Sequence, residues 1–324
     1  MLAATRAPSK DLRVGNVDAD IVDVGGGVSR ARRSASLFAA ATVAVSLAGC
    51  TAAPPAAPVA PAPAVDADPA VSGLAMPEIR TEVVHSAHRG TDTRLYLAYP
   101  TGLESTENLP VVLYLHGRDG IDPTPIPYDT LASLERLYHE GRIPAFGFVV
   151  VDGGYNPYWN DGSANGDLAA MLTEELPAWL AERGLGDEEG LPFAVAGIST
   201  GGFGALTYAA DRNQAGNPVA AVAELAPALQ TSWEGMREKE AFATADEWLA
   251  VDPLHRLDEL GDVPVGVWTG DADPFLDGID ELVRRYPNTP VVSYLPGGHE
   301  GAVFEAVGTE FVEFLAGSLP DQQP

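Results

Sequence analysis

The sequence has little cysteine, little lysine and few positive charges of any kind. One cysteine, Cys50, occurs in 324 residues, which excludes an internal disulfide, a cysteine-based zinc site and an iron–sulfur cluster. Lys and Arg total 19 against 46 Asp and Glu, for a formal charge of -27. Such a charge repels nucleic-acid phosphates and anionic lipid headgroups alike. We therefore expect no nucleic-acid partner, and no electrostatic contribution to any attachment to a membrane.

The N-terminal apolar segment is too short to span a bilayer as a mature helix. Three arginines between positions 30 and 33 precede the apolar run 35–49, which is the arrangement of a secretory signal. The run ends Leu47-Ala48-Gly49-Cys50 and resembles a bacterial lipobox, whose cysteine carries a diacylglyceryl group. We interpret 30–49 as a lipoprotein signal peptide and Cys50 as the lipidated residue. An inert buried cysteine is the alternative.

The flanks of this signal define the expected domain organisation. Residues 1–29 are interpreted as a misassigned start or a dispensable leader. Residues 51–72 contain six Pro and nine Ala, a composition that favours extended polyproline conformations over a packed core. We expect a linker over 50–77, a folded domain over 78–319 and a short tail over 320–324. This organisation predicts a protein held by its lipid on the extracytoplasmic face of the cell membrane.

From about residue 78 onward, strand-like and helix-like segments alternate. The predicted strands are apolar or β-branched runs at 81–87, 93–99, 110–115, 146–152, 193–198, 219–226, 263–269 and 291–295. The predicted helices cover 129–139, 167–183, 201–211, 241–250, 276–285 and 302–316. The alternation predicts a doubly wound α/β domain with a mostly parallel eight-stranded sheet, helices on both faces and an opening antiparallel hairpin. Chemistry in such sheets collects at the carboxyl ends of the strands.

The strongest motif is Gly197-Ile198-Ser199-Thr200-Gly201, which follows one predicted strand and opens a helix. Glycines flank the serine of a nucleophile elbow because its strained strand-to-helix turn leaves no room for side chains. The helix N-terminus also favours developing negative charge. We predict that Ser199 is a nucleophile, and the alternative is a glycine-rich helix start with a capping serine.

A serine nucleophile needs a histidine base and a carboxylate that orients it, in the chain order serine, acid, histidine. His299 ends the strand after the acid loop, and a helix cap is its alternative role. The acid loop offers Asp271 and Asp273. We predict Asp273, because Pro274 restricts the preceding residue and limits how its carboxylate can be aimed. Asp271 is expected to bond loop backbone or solvent.

The predicted oxyanion hole combines two backbone N–H groups, from Thr200 after the nucleophile and from Arg118 in the loop after strand 110–115. His116 in that loop is interpreted as a structural residue without a role in proton transfer. No metal and no cofactor are expected, since the acidic loops lack a complete calcium-ligand pattern.

Aromatic residues of the segment 152–159 are predicted to shape the substrate pocket. We expect this segment to follow the strand next to the elbow strand, and we assign Tyr158 and Trp159 to substrate binding. A packed loop is the alternative. Residues 229–250 occupy the position of a cap and are few, which predicts an open pocket for substrates of modest size.

Together these segments resemble the serine esterase branch of the α/β-hydrolase fold that includes esterase D, S-formylglutathione hydrolase and the mycobacterial mycolyltransferases. The resemblance covers residues 80–317 and is closest to secreted actinobacterial esterases. Its motifs are Leu115–Arg118, Asp152–Gly154 with Tyr158–Trp159, Gly197–Gly201, Gly270–Phe275 and Gly297–His299. It implies an α/β-hydrolase fold and a Ser199–His299–Asp273 triad. Thr200 departs from the methionine that is commoner after the nucleophile, which affects pocket shape but not its backbone donor.

The function predicted from these features is hydrolysis of carboxylic esters of short to medium acyl groups through an acyl-enzyme, by a lipid-anchored serine esterase. The substrate would be a small molecule or an acylated component of the cell envelope. Two alternatives remain open: an acyltransferase of the envelope, or a non-catalytic binding lipoprotein on a hydrolase fold. The sequence does not specify the oligomeric state.

Overall fold

A computed structural model describes residues 76–121, 125–288 and 290–320. The leader, the signal peptide, Cys50 and the linker up to residue 75 lie outside the described residues. The predictions made for them therefore stay predictions. All that follows concerns the described part of the chain.

The described residues form an eight-stranded sheet. The strands are β1 Glu78–Ser86, β2 Thr91–Tyr99, β3 Val111–Leu115, β4 Gly147–Val151, β5 Ala194–Ile198, β6 Val222–Leu225, β7 Val265–Gly270 and β8 Val291–Leu295. Their order across the sheet is β1-β2-β4-β3-β5-β6-β7-β8. The first strand pairs antiparallel with the second, and the second with the fourth, whereas the other neighbours pair in parallel. Each of these strands was predicted, and the mostly parallel sheet is confirmed.

Helices cover both faces of this sheet. They are α1 Tyr128–His139, α2 Leu168–Ala170, α3 Leu176–Ala181, α4 Thr200–Gln214, α5 Trp233–Arg237, α6 Ala245–Val251, α7 Leu276–Arg285, α8 Gly301–Glu305 and α9 Gly308–Gly317, with short 3-10 turns at Pro253–His255 and Leu257–Leu260. In the described ranges, no helix combines the length and the apolar character needed to cross a bilayer.

Two predicted helices are interrupted, for different reasons. The stretch 167–183 contains a π-helical turn, Met171–Glu175, between α2 and α3. Pro177 follows this turn and has no N–H to donate to an α-helical partner, so the regular bonding pattern cannot continue through it. The stretch 302–316 breaks between α8 and α9, where a side chain at Gly308 would collide with the backbone of Asp129.

The break between α8 and α9 also fastens the start of α1. The Glu305 carboxylate, at the end of α8, accepts hydrogen bonds from the backbone N–H groups of Tyr128 and Asp129 at 3.0 and 2.6 Å. These two amides are among the four that a helix N-terminus leaves without partners. Glu305 therefore acts as a cap for α1 from a distant part of the sequence.

The cap region differs from the prediction of one helix over 241–250. It holds two short helices, and α5 was not predicted. Thr244 begins α6 by accepting the Glu247 N–H at 3.2 Å, while the Glu247 carboxylate accepts the Ala243 N–H at 3.0 Å. Thr244 is therefore the N-cap, which places the helix start at Ala245. The Glu247 carboxylate binds the amide one residue earlier than in a capping box.

The core lies in two layers, one on each face of the sheet. Alternating residues of β3 contribute to both: Leu113 belongs to the layer that includes Phe203 of α4, and Tyr114 to the layer that includes Phe311 of α9. The Tyr114 ring packs edge-on against the rings of Phe148 and Phe311. Burial on both faces explains the near-continuous apolar sequence of these strands.

Candidate active site

The turn between β5 and α4 holds Ser199 in a strained conformation. Its φ is 56° and its ψ is -116°, a combination that non-glycine residues rarely adopt. The Ser199 N–H donates to the carbonyl of Leu225 at 2.9 Å, and the Ser199 carbonyl accepts from Ala228 N–H at 2.8 Å. Bonds from the neighbouring strand thus hold the turn in place, and the side chain stands at the carboxyl edge of the sheet.

The flanking glycines are required by close backbone approach. A side chain at Gly197 would collide with the backbone of Gly201, and a side chain at Gly201 would collide with the carbonyls of Leu115 and His116. The elbow therefore packs directly on the end of β3. The sequence interpretation of these glycines agrees with the observed packing.

Three side chains from separate loops form one hydrogen-bonded chain. His299 Nε2 lies 2.8 Å from Ser199 Oγ, and His299 Nδ1 lies 2.8 Å from Asp273 Oδ2. The Asp273 side chain is fully buried, whereas that of His299 is 22% exposed. A buried carboxylate on Nδ1 fixes the ring with Nε2 toward the serine. The arrangement suits removal of a proton from the serine hydroxyl.

The two aspartates of the acid loop have different partners. Asp273 also accepts the Phe275 N–H at 2.8 Å through Oδ1, while Asp271 Oδ1 accepts the Gly297 N–H at 3.0 Å. Asp271 thus ties the acid loop to the histidine loop through the backbone, and Asp273 alone of the two contacts the imidazole of His299. Asp273 is therefore placed to orient the His299 ring, and its role as the triad acid stays a prediction.

Two backbone amides beside Ser199 are available to a substrate oxygen. Thr200 and Arg118 both line the cavity that contains Ser199. Within the described ranges, neither of their N–H groups donates to a backbone carbonyl. The two amides are thus available as the donors of an oxyanion hole, which remains a prediction.

His116 orders the loop that carries Arg118. Its Nε2 accepts the Gly153 N–H at 2.8 Å, which leaves the proton on Nδ1, where the ring donates to the carbonyl of Gly117 at 2.7 Å. Burial lowers the pKa of His116, so the ring is neutral at pH 7. Both ring nitrogens are occupied, which agrees with a structural role.

A polar network behind this loop was not anticipated from the sequence. Burial opposes the charge of Asp152, but bonds from Gly154 N–H and from Arg94 keep the pKa of its carboxyl below the ordinary value. Arg89 is half-buried and donates to the carbonyls of Asp152 and Asn165. The two arginines fix the segment after β4, although no local motif marks them.

The cavity at the elbow has a volume of about 460 Å³. Its described lining residues are Gly117, Arg118, Asp119, Gly120, Pro125, Asn156, Tyr158, Ile198, Ser199, Thr200, Lys239, Phe275, His299, Glu300, Gly301 and Phe304. The rings of Phe275 and Phe304 pack against the His299 ring at 5.1 and 5.3 Å. None of these two rings and Lys239 was assigned to the cavity from the sequence. Phe304 and Lys239 lie outside the motifs, and Phe275 ends the acid-loop motif without a predicted role.

The prediction that both aromatic residues of the segment 152–159 bind substrate is wrong for Trp159. Tyr158 lines the cavity, but Trp159 is not among its lining residues and is 2% exposed. The Trp159 ring packs where a side chain at Gly204 would otherwise lie, and its Nε1 donates to the His116 carbonyl at 3.3 Å. Trp159 therefore packs against α4 at Gly204.

The expected position of this segment also needs correction. It follows β4, and β3 lies between β4 and the elbow strand β5. Strand order is decided by packing of the whole sheet, which explains why the local sequence did not show it. The segment reaches the elbow through His116 at the end of β3, whose Nε2 accepts the Gly153 N–H.

A buried acid lies behind the nucleophile. Glu224 of β6 is fully buried, and neither carboxyl oxygen has a hydrogen-bond partner among the described residues. One of its oxygens occupies the space that a side chain at Gly202 of α4 would take. Burial raises the pKa of Glu224 well above its ordinary value.

The described residues contain no group of three or more His, Cys, Asp or Glu arranged to hold a metal ion.

Comparison with solved structures finds the same architecture in several hydrolases. A ferulic acid esterase is 18% identical with a TM-score of 0.60, over 75% of this chain and 100% of that one. An S-formylglutathione hydrolase from Agrobacterium tumefaciens is 17% identical with a TM-score of 0.56, and the similarity covers 75% of this chain and 95% of that one. The fluorophosphonate-binding serine hydrolase F of Staphylococcus aureus is 18% identical with a TM-score of 0.54, and the similarity covers 75% of this chain and 99% of that one. At these identities the similarity shows the fold.

Family membership comes from the sequence itself. No curated protein matches this chain at a significant level. The sequence profile of the family described as Putative esterase matches residues 86–283, which is more than half of the chain. The matched range includes the elbow and the acid loop and ends before His299. The chain therefore belongs to the Putative esterase family and is a carboxylic-ester hydrolase with an α/β-hydrolase fold.

Proposed function

We propose that the chain hydrolyses carboxylic esters of short to medium acyl groups through an acyl-enzyme at Ser199. The observation that carries this proposal is the continuous hydrogen-bonded chain from Asp273 through His299 to Ser199, with both distances at 2.8 Å. A hydroxyl is a weak nucleophile until a base takes its proton, and this chain supplies a base that is already oriented.

In the acylation step, Ser199 Oγ attacks the ester carbonyl carbon while His299 Nε2 accepts the hydroxyl proton. The carbonyl oxygen becomes an oxyanion, which the N–H groups of Thr200 and Arg118 stabilise. Asp273 stabilises the imidazolium without itself becoming protonated. His299 then gives its proton to the leaving alcohol oxygen, and the C–O bond breaks.

In the deacylation step, a water molecule takes the place of the alcohol. His299 accepts a proton from the water as its oxygen attacks the acyl carbon, and the same proton returns to Ser199 Oγ as the acid is released. The partial exposure of the His299 side chain, 22%, supports access of water to this step.

The preference for short to medium acyl groups rests on the cavity and the cap. A volume of about 460 Å³ is within the range of sites for small molecules. The cap over 229–250 contributes only two short helices, α5 and α6. Acetyl to hexanoyl esters of 4-nitrophenol should therefore have higher kcat/KM than the palmitoyl ester. A preference for the C16 ester would contradict this assignment.

A fluorophosphonate probe tests the nucleophile directly. It should label the wild-type protein and not Ser199→Ala, with equal thermal stability of the two proteins. Labelling of both proteins, or of neither, would refute Ser199 as the nucleophile and would favour a non-catalytic binding lipoprotein. Product analysis with an added alcohol separates hydrolysis from acyl transfer, and ester products in excess of free acid would favour the acyltransferase alternative.

The proposed location rests on the sequence around Cys50. The lipobox-like Leu47-Ala48-Gly49-Cys50 after an apolar run supports a lipid-anchored protein on the extracytoplasmic face of the membrane. The wild-type protein should partition into detergent, and Cys50→Ser should become soluble. Equal partitioning of the two would overturn the lipid anchor without affecting the assignment of the enzyme.

A further inference from the structure

Lys239 is an unusual residue in this chain. The sequence contains two lysines among 324 residues, Lys10 and Lys239, and only Lys239 belongs to the described part of the chain. It lies between α5 and α6 and lines the cavity that contains Ser199 and His299. A chain with a formal charge of -27 thus places a scarce cation at its candidate active site.

The Lys239 ammonium has no counter-ion among the residues that the structure describes. Within the described ranges, no carboxylate oxygen lies within 4.0 Å of it. Its Nζ lies 5.0 Å from the centre of the Phe275 ring, which it faces as a cation–π contact. Its sequence neighbours Glu238 and Glu240 are not among the described residues that line this cavity. The charge is therefore available to a ligand.

The backbone of Lys239 is fixed on both sides. Asn156 Nδ2 donates to the Lys239 carbonyl at 2.9 Å, and the Lys239 N–H donates to the carbonyl of Met236 at 2.9 Å. Asn156 belongs to the loop after β4 and itself lines the cavity. The cap and the loop thus hold the lysine at the wall of the site. A binding group held on a fixed backbone loses less freedom when a ligand arrives.

The position of Lys239 relative to the triad indicates which part of a substrate it meets. The ammonium is 5.0 Å from the Phe275 ring centre, and that ring centre is 5.1 Å from the His299 ring centre. The ammonium is therefore no more than about 10 Å from His299. The leaving oxygen of an ester must lie on the side of His299 because this ring protonates it. A carboxylate in the alcohol portion of a substrate would therefore lie within reach of the Lys239 ammonium.

Other charges line the same cavity and bear on this argument. The Arg118 guanidinium donates to the Tyr155 hydroxyl at 2.9 Å and stacks on that ring, so an internal partner already orients it. Two carboxylates, Asp119 and Glu300, also line the cavity. The Glu300 carboxylate accepts the Gly298 N–H at 3.3 Å. Lys239 is the cation of the cavity that has neither a hydrogen-bonded nor an ion-paired side-chain partner among the described residues.

We propose that Lys239 binds a carboxylate in the alcohol portion of the substrate, so that the preferred esters carry an anionic leaving group. This inference rests on the proposed hydrolysis at Ser199. A para-substituted benzene ring would hold the leaving oxygen and the carboxylate about 6 Å apart. This separation is compatible with the upper limit of about 10 Å between the ammonium and His299.

The test compares two acetate esters that differ in one charge. The anionic ester is 4-acetoxybenzoate, and its neutral counterpart of the same shape is 4-acetoxybenzamide. The measured quantity is the ratio of kcat/KM for the anionic ester to that for the neutral ester, at pH 7.5 and low salt. The intrinsic reactivities of the two esters cancel when this ratio is compared between variants.

We expect Lys239→Met to lower this ratio about tenfold, the effect of losing a partly desolvated charge pair, mainly through a higher KM for the anionic ester. Lys239→Arg should keep most of the preference. The matched control is Arg237→Met, which removes one positive charge two residues away and outside the cavity lining. It should change the ratio by less than about twofold, since exposed charges at a distance are screened.

Three outcomes would overturn the inference. One is an unchanged ratio in Lys239→Met, and another is an equal fall in Arg237→Met. The third concerns mono-4-nitrophenyl glutarate, whose carboxylate is in the acyl portion. If Lys239→Met lowers kcat/KM for this ester alone, the lysine binds an anion in the acyl portion and not in the alcohol portion. If wild type hydrolyses neither acetate ester and no fluorophosphonate labels Ser199, the proposed function itself has failed, which is a different result.

Discussion

The buried acid Glu224 should give the protein a stability that falls as the pH rises. Its carboxyl is fully buried beside Gly202, and neither oxygen has a partner among the described residues. Burial raises the pKa of Glu224 well above the ordinary value of 4.5. Between the ordinary pKa, which applies to the unfolded chain, and the raised pKa of the folded protein, the folded protein holds one proton more than the unfolded chain. The free energy of unfolding therefore decreases with pH in this range.

The size of the effect follows from the proton count. One extra proton in the folded state lowers the free energy of unfolding by about 1.4 kcal/mol for each pH unit. Glu224→Gln removes the titrating group and keeps the shape. Its side-chain amide lacks partners at every pH, as does the carboxyl of the wild type among the described residues. Any difference in stability between the amide and the neutral carboxyl is therefore independent of pH. The variant is thus identified by the slope of stability with pH, rather than by its stability at one pH.

Urea denaturation at pH 5.5, 6.5, 7.5 and 8.5 measures this slope. As the pH rises from 5.5, the wild type should lose stability relative to Glu224→Gln, by up to about 1.4 kcal/mol for each pH unit while the folded protein keeps the Glu224 proton, because all other titrating groups are common to both proteins. The matched control is Glu135→Gln, which changes a buried glutamate that accepts the Thr101 N–H at 2.9 Å and contacts His139. Parallel pH profiles of wild type and Glu224→Gln would refute the reasoning.

Three further predictions concern the site and its support. Asp273→Asn should lower kcat by about 10⁴-fold in steady-state assays, because a wrong imidazole tautomer stops general base catalysis. Asp271→Asn should lower kcat much less. A larger loss of kcat in Asp271→Asn would transfer the role of triad acid to Asp271. Gly204→Ala should lower the unfolding free energy by about 1–3 kcal/mol, because its methyl group would collide with Trp159; an unchanged denaturation curve would contradict this packing. His116→Ala should cost about 1–3 kcal/mol of stability and still allow fluorophosphonate labelling, and loss of labelling in the folded variant would argue against a purely structural role.

The strands and the three loops of the site were readable from the sequence because their signals are local. The central parallel strands are continuous apolar runs, and each of the three triad residues follows the end of a parallel strand by no more than four residues. The elbow glycines are local in the same sense, since the crowding at Gly197 and Gly201 comes from the turn and from the strand end beside it.

The rest depends on contacts between distant segments. Strand order places β3 between β4 and β5, and no local pattern encodes that order. Trp159 is in a motif, but its ring packs against α4 and does not line the cavity, because Gly204 has no side chain to occupy that space. Lys239 reaches the cavity through a cap whose helices the sequence placed only in part. Glu224 lies in a short apolar strand, where a single acidic residue gave no indication that its carboxyl would be fully buried without a hydrogen-bond partner among the described residues.

The bond between Glu305 and the start of α1 joins two parts of the molecule that would otherwise open separately. Helix α8 follows His299 within the same loop, and its last residue holds the first amides of α1. Local unfolding of the histidine loop must therefore release the first turn of α1 as well, which raises the free energy of that opening. Amide hydrogen exchange would register the two segments as one cooperative unit, and excursions that separate the base from the nucleophile become rarer in the resting enzyme.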